Sequence, residues 1–221
     1  MTTTTATRPQ SGPPLLAPAI AFGVFTVATA ALGAGGTRPD SSAAQVNAYA
    51  LAHSGLLDVL AFAVFGTAFP LAIWAAAVYR RQRRLGVTAP GAAIGFAGGM
   101  LAAASLAVSG LATWTAAQAA DPAAPALSRA LTSLAFASGG PGFVVPLALL
   151  IAGLAVPALF LKLLPRWVSV AGLVIAAAAV LATFSLLTPA LYPLIPIGRF
   201  GGLLWLVLVS VLLPRDRHQL R

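Results

Sequence analysis

Long apolar runs separated by short polar ones dominate the chain. None of Asp, Glu, Lys or Arg occurs between Arg8 and Arg38, Asp58 and Arg80, Arg84 and Asp121, Arg129 and Lys162, or Arg166 and Arg199. A helix crossing a bilayer needs about 20 largely apolar residues, and each of these gaps is long enough. The pattern predicts an all-α protein, a transmembrane bundle of six spans over residues 15–33, 55–79, 90–116, 143–161, 167–187 and 195–213. After the first span, Asp40, Ser41 or Ser42 is placed to cap a short helix over 43–51. Its Ala44, Val46, Tyr49 and Ala50 share a face suited to the bilayer surface. The stretch between Arg129 and Lys162 would make one helix about 48 Å long, well beyond a hydrocarbon core of ~30 Å. Gly139-Gly140-Pro141-Gly142 is expected to break it at the outer end of the fourth span, leaving a short helical segment over 128–137. Leu163-Leu164-Pro165-Arg166 and Leu212-Leu213-Pro214-Arg215 read as helix stops, because proline cannot continue a helix. Pro189, Pro193 and Pro196 predict an irregular connection before the last span.

Composition agrees with lipid as the solvent. The 221 residues are 59% hydrophobic and 8% charged, where a soluble domain carries roughly 25% charge. The domain plan is a Thr-, Pro- and Ser-rich tail over 1–14, expected to be disordered, a membrane domain over 15–213 and a basic tail over 214–221. Ala28-Thr29-Ala30 offers a cleavage pattern, but the apolar run over 15–32 is long for a signal peptide and its basic flank is weak. With both termini inside, Arg8, Arg80, Arg81, Arg83, Arg84, Lys162, Arg166, Arg215, Arg217 and Arg221 share one side, against Arg38, Arg129 and Arg199 on the other. Basic loops face the cytoplasm, so the expectation is a multi-pass protein of the bacterial plasma membrane with both termini cytoplasmic. The net charge of +9 is explained by these helix ends and not by a nucleic-acid partner. Trp74 and Trp167 are expected near the inner interface and Trp114 near the outer one, while Trp205 falls mid-span and points to packing.

Little in the sequence supports catalysis or a cofactor. Cysteine is absent, so thiolate chemistry is excluded. No histidine falls inside a span to ligate haem, and four acidic residues and two histidines are too scattered for a metal site. No phosphate-cradling Gly-x-x-x-x-Gly-Lys occurs. His53, Ser54 and Asp58 lack a nucleophile elbow, and positions five apart do not share a helical face. His53 is better read as a capping or interfacial residue. Two features stand out. Arg199 falls a turn inside the last apolar run and Asp58 about one turn into the second, on the same side. A charge at that depth is usually paired or water-facing, so the two are expected to form an ion pair. Such a pair would act as a staple between spans or as the floor of an outward-facing polar cavity, the alternative being Arg199 reaching to the headgroups. Gly91, Gly95 and Gly99, continued by Ala103 and Ala107, line one face and admit a close neighbour, within the bundle or in a second copy.

Three segments resemble those of a family of small bacterial membrane proteins, a domain of unknown function with about six helices: Ser42-Ala43-Ala44-Gln45-Val46-Asn47-Ala48-Tyr49 through His53, Gly139-Gly140-Pro141-Gly142, and Leu163-Leu164-Pro165-Arg166-Trp167. The likeness runs over most of 15–215. It implies a fold and transfers no activity and no catalytic residue. The expected function is therefore a non-enzymatic membrane protein, acting in the lipid bilayer through packing or through contacts with a membrane-protein partner or another copy. The alternative is a small transporter or solute-binding protein using Asp58 and Arg199.

Overall fold

A computed structural model describes residues 14–215. The tails expected over 1–14 and 214–221 lie outside these residues, apart from Pro14, Pro214 and Arg215. Within them the chain forms eight α-helices and no strand: α1 Leu16–Gly33, α2 Ala43–Ala52, α3 Ser54–Arg84, α4 Gly91–Gln118, α5 Pro125–Gly139, α6 Pro141–Phe160, α7 Arg166–Leu181 and α8 Leu194–Leu212. Two short 3-10 helices, Ala182–Leu186 and Pro189–Leu191, join α7 to α8. Six helical segments are long and apolar enough to cross a membrane, with α5 and α6 together making the fourth. The protein is a multi-pass helical membrane bundle.

The α5–α6 segment is the centre of the bundle: 61% of its most apolar stretch is buried, against 17% for peripheral α1. α3 and α4 form an antiparallel hairpin, in register from Tyr79 beside Phe96 to Asp58 beside Gln118. Its turn is closed by Gly86 at φ 87°, while the Val87 N–H donates to the Gln82 carbonyl at 3.0 Å. This is the helix-ending motif that glycine favours. The same motif ends α6, where the Leu163 N–H donates to the Ala158 carbonyl at 2.9 Å and Lys162 takes φ 53°. One end of the bundle collects Arg80, Arg81, Arg83, Arg84, Lys162, Arg166 and Arg215; Arg38, Arg129, Asp40, Asp58 and Asp121 lie at the far end.

Several local expectations are corrected. The segment expected over 128–137 is a longer helix, α5, which abuts α6 directly at Gly140 (φ −89°, ψ −106°). α2 begins at the expected Ser42, which forms a capping box with Gln45, but it packs on α5 and does not merely rest on the bilayer. Its Val46, Asn47 and Ala50 are buried, and Asn47 is held by the Asp121 carbonyl at 3.0 Å and the Ser128 hydroxyl at 2.8 Å. Trp74 is not interfacial. It is completely buried and donates to Ser210 Oγ at 2.8 Å, since an indole N–H inside a bundle needs an acceptor. Trp205 packs against Gly172 and donates to the Val168 carbonyl at 2.8 Å.

A backbone-to-backbone helix contact joins α4 to α6. A Cβ on Gly153 would lie 2.5 Å from the Gly91 carbonyl oxygen and 2.5 Å from the Gly95 nitrogen, so the backbones touch. Gly91 and Gly95 thus pack inside the chain, against Gly153, Pro157 and Leu150. Gly99 lies between two helices, nearest Ala75 of α3 and also against the Leu150 side chain of α6, while Gly98 meets the α6 backbone, at Pro146 and Leu150, and Leu149. The cause is helical drift, because seven residues return to within about 20° of the starting direction while eight do not. Pro157 has no N–H for the Gly153 carbonyl one turn earlier, and buried Gln82 supplies the donor from α3, with Nε2 at 3.2 Å. Gly153→Ala should lower the thermal stability of the detergent-purified protein by about 1–3 kcal/mol through overpacking against backbone. Gln82→Leu should cost a similar ~1–3 kcal/mol by orphaning that carbonyl. A melting temperature unchanged in either variant would refute this account of the contact.

Candidate functional site

At the far end α1, α2, α3, α4, α5 and the starts of α6 and α8 line a half-open cavity of about 450 Å³. Its wall is mostly apolar, with Phe22, Leu57, Leu106, Phe136, Phe143 and Ile195 among its members. Hydroxyls of Thr26, Thr29, Thr67, Ser109, Thr113 and Thr132 punctuate it. Most are engaged within the protein. Thr29 donates to the Thr26 carbonyl at 2.8 Å, Thr67 to the Ala63 carbonyl at 2.8 Å, Thr113 to the Ser109 carbonyl at 2.9 Å and Ser109 to the Ala135 carbonyl at 2.8 Å. The Thr26 hydroxyl, 3% exposed at the residue level, has no partner.

Arg199 is the charged residue on this wall among the described residues. α8 brings it there in its second turn. The guanidinium donates through one terminal nitrogen to the Gly139 carbonyl and lies 5.3 Å from the centre of the Phe143 ring. Both contacts follow from the break at Gly140. In an unbroken helix the Gly139 carbonyl would accept from the Phe143 N–H, but that N–H bonds to Gly140 at 3.1 Å. The Gly139 carbonyl is left over at the C-terminus of α5, the end of a helix that attracts a cation. An aromatic face adds a weaker attraction. Neither neutralises a full charge, and the buried Nε–H has no partner.

The expected Asp58–Arg199 pair is not formed. Asp58 Oδ1 accepts from Gln118 Nε2 at 3.0 Å, which ties the far ends of α3 and α4 together. Asp58 is not on the cavity wall, although its neighbours Leu57 and Leu60 are. The two ionic side chains share an end of the bundle but not a face. His53 ends α2, stacks on Tyr49 with ring centres 4.3 Å apart and approaches the Tyr49 carbonyl through Nδ1 at 3.1 Å. No group of three or more potential metal ligands occurs among the described residues.

Sequence reasoning reached Arg199 because charge inside an apolar run is conspicuous. It missed the threonines, which are unremarkable in a membrane helix, and the role of Gly139 as an acceptor. If Asp58 and Arg199 are independent, Asp58→Asn and Arg199→Gln should change the melting temperature additively, within about 0.5 kcal/mol in a double-mutant cycle. A larger coupling would restore the pair. Compared with protein families, curated proteins and solved structures, the chain matches none of them.

Proposed function

We propose that the protein is a membrane-embedded binding protein or carrier for a small organic anion, held in the far-end cavity with its charge on Arg199. The observation that carries this reading is a guanidinium on the wall of a 450 Å³ cavity that holds no carboxylate among the described residues. A cation in an apolar setting costs several kcal/mol unless compensated. A carbonyl and an aromatic ring compensate in part, and an anion compensates fully. Arginine's planar fork suits a carboxylate or phosphate oxygen pair, and Thr26, whose buried hydroxyl has no partner, is on the same cavity wall. The cavity lies within the size range of small-molecule sites, roughly 300–1,000 Å³. This is the solute-binding alternative in altered form, with Arg199 alone in place of an Asp58–Arg199 site. No chemical step is part of it.

Benzoate and its neutral analogue benzamide test the proposal by titration calorimetry on protein in nanodiscs. Benzoate should bind saturably. Arg199→Gln, which keeps an amide donor for the Gly139 carbonyl, should weaken it tenfold or more, about 1.4 kcal/mol, and Arg199→Lys should retain most of it. Equal binding of benzamide, or unchanged binding to Arg199→Gln, would leave Arg199 as the cap of α5 and nothing more.

The proposal also places the protein in the bacterial plasma membrane, with the arginine-rich end in the cytoplasm and the cavity in the outer half. The support is the unequal distribution of basic residues. Because the chain has no cysteine, single cysteines at Arg83 and Arg38 report orientation directly. An impermeant maleimide should label Arg38→Cys in intact cells and Arg83→Cys only after lysis. The opposite order would invert the assignment.

A further inference from the structure

A second cavity, of about 520 Å³, lies at the arginine-rich end between the α3–α4 turn and the last turns of α6. Its wall includes Val87, Pro90, Ile94, Val156, Phe160 and Leu161. Phe160 is 78% exposed and Ile94 48%, so the groove opens on the bundle's outer surface, where acyl chains run. Two cations flank it. Arg83 donates to the carbonyl of Val87, a wall residue, at 3.0 Å. Lys162 directly follows Leu161, another wall residue, and is exposed without a hydrogen bond or ion pair to any described residue.

The two helix ends that frame this groove differ in one instructive respect. Both close with the same hydrogen-bonded motif. At α3 the left-handed position is Gly86 (φ 87°), which costs nothing there; at α6 it is Lys162 (φ 53°), which does. A left-handed backbone costs a non-glycine residue roughly 1–2 kcal/mol. Lysine at that position trades stability for a cation at the mouth of an apolar groove. Among the described residues the charges there are one-sided, since Asp40, Asp58 and Asp121 all lie at the far end and the fourth acid, Asp216, lies outside the described residues. An apolar slot with cations at the membrane surface and no competing carboxylate among the described residues complements a phosphate bearing an acyl chain. We propose that this groove binds an anionic phospholipid, one acyl chain along Ile94 and Phe160 and the phosphate on Lys162 and Arg83.

The test compares phosphatidylglycerol with phosphatidylcholine on the purified full chain, by native mass spectrometry after delipidation and by melting temperature in nanodiscs of each lipid. Phosphatidylglycerol should be retained preferentially and should raise the melting temperature. Lys162→Gly should reduce that preference about fivefold, the equivalent of ~1 kcal/mol for one surface cation, and Arg83→Gln should do the same. Because glycine relieves the left-handed backbone, Lys162→Gly should melt at the same or a higher temperature in phosphatidylcholine, so lost lipid preference cannot be ascribed to misfolding. Ala89 also lines the groove, and Ala89→Trp, which fills it, should lower retention of phosphatidylglycerol without changing the charge. The proposal is overturned if the wild type shows no preference, if Lys162→Gly keeps it, or if inorganic phosphate in phosphatidylcholine nanodiscs reproduces the stabilisation.

Discussion

Hydrocarbon supplies no hydrogen bonds, so every backbone carbonyl released by an irregular helix must find a donor inside the protein. In the α5–α6 segment two released carbonyls are met by a side chain from another helix. Pro157 frees the Gly153 carbonyl, and Gln82 of α3 meets it; the break at Gly140 frees the Gly139 carbonyl, and Arg199 of α8 meets it. The central, most buried segment is thus held at two of its irregular points by a long polar side chain from a different helix. This accounts for the presence of a buried glutamine and a membrane-level arginine in a chain otherwise so poor in such residues.

The two solutions are not equivalent. Gln82 is neutral, and its amide donor is matched to a single carbonyl in a glycine-lined contact. Arg199 brings five donors and a positive charge to a similar task, and it does so beside a cavity. A neutral donor would satisfy the Gly139 carbonyl at lower cost. The excess of charge and donors over what the backbone requires is the physical reason to assign Arg199 a ligand. The same break that frees the carbonyl also keeps α5 off the line of α6, so cap and cavity share one cause.

The sequence made the architecture legible to the extent that lipid imposes it. Apolar run length located all six spans, Ser42 with Gln45 marked the start of α2, and Gly139-Gly140-Pro141-Gly142 marked the break. What it did not disclose depends on which helix faces which. Asp58 and Arg199 looked like partners because each is an isolated charge at the same level, but level along the bundle normal says nothing of azimuth, and Gln118 is closer to Asp58. The glycine stripe packs inside the chain at Gly91, Gly95 and Gly99, but the backbone contact with α6 passes from Gly95 to Gly98, because a four-residue repeat drifts around a helix while a seven-residue step nearly closes. Trp74 was misplaced because end-of-span position suggested an interface, whereas Ser210 offers an acceptor inside.

The two cavities proposed as binding sites differ in how their charge is set. At the far end acids and bases are mixed, but Asp40, Asp58 and Asp121 are not on the cavity wall, where Arg199 is the charged residue among the described residues. At the other end the bases have no described acid among them and stand at the surface, where they add to one another over the distance of a Debye length. A single cation on a cavity wall selects a solute by shape and charge together. A cluster at the bilayer edge selects by charge first and accepts any chain that fits an apolar groove. The difference follows from burial and not from residue type, since arginine serves at both ends.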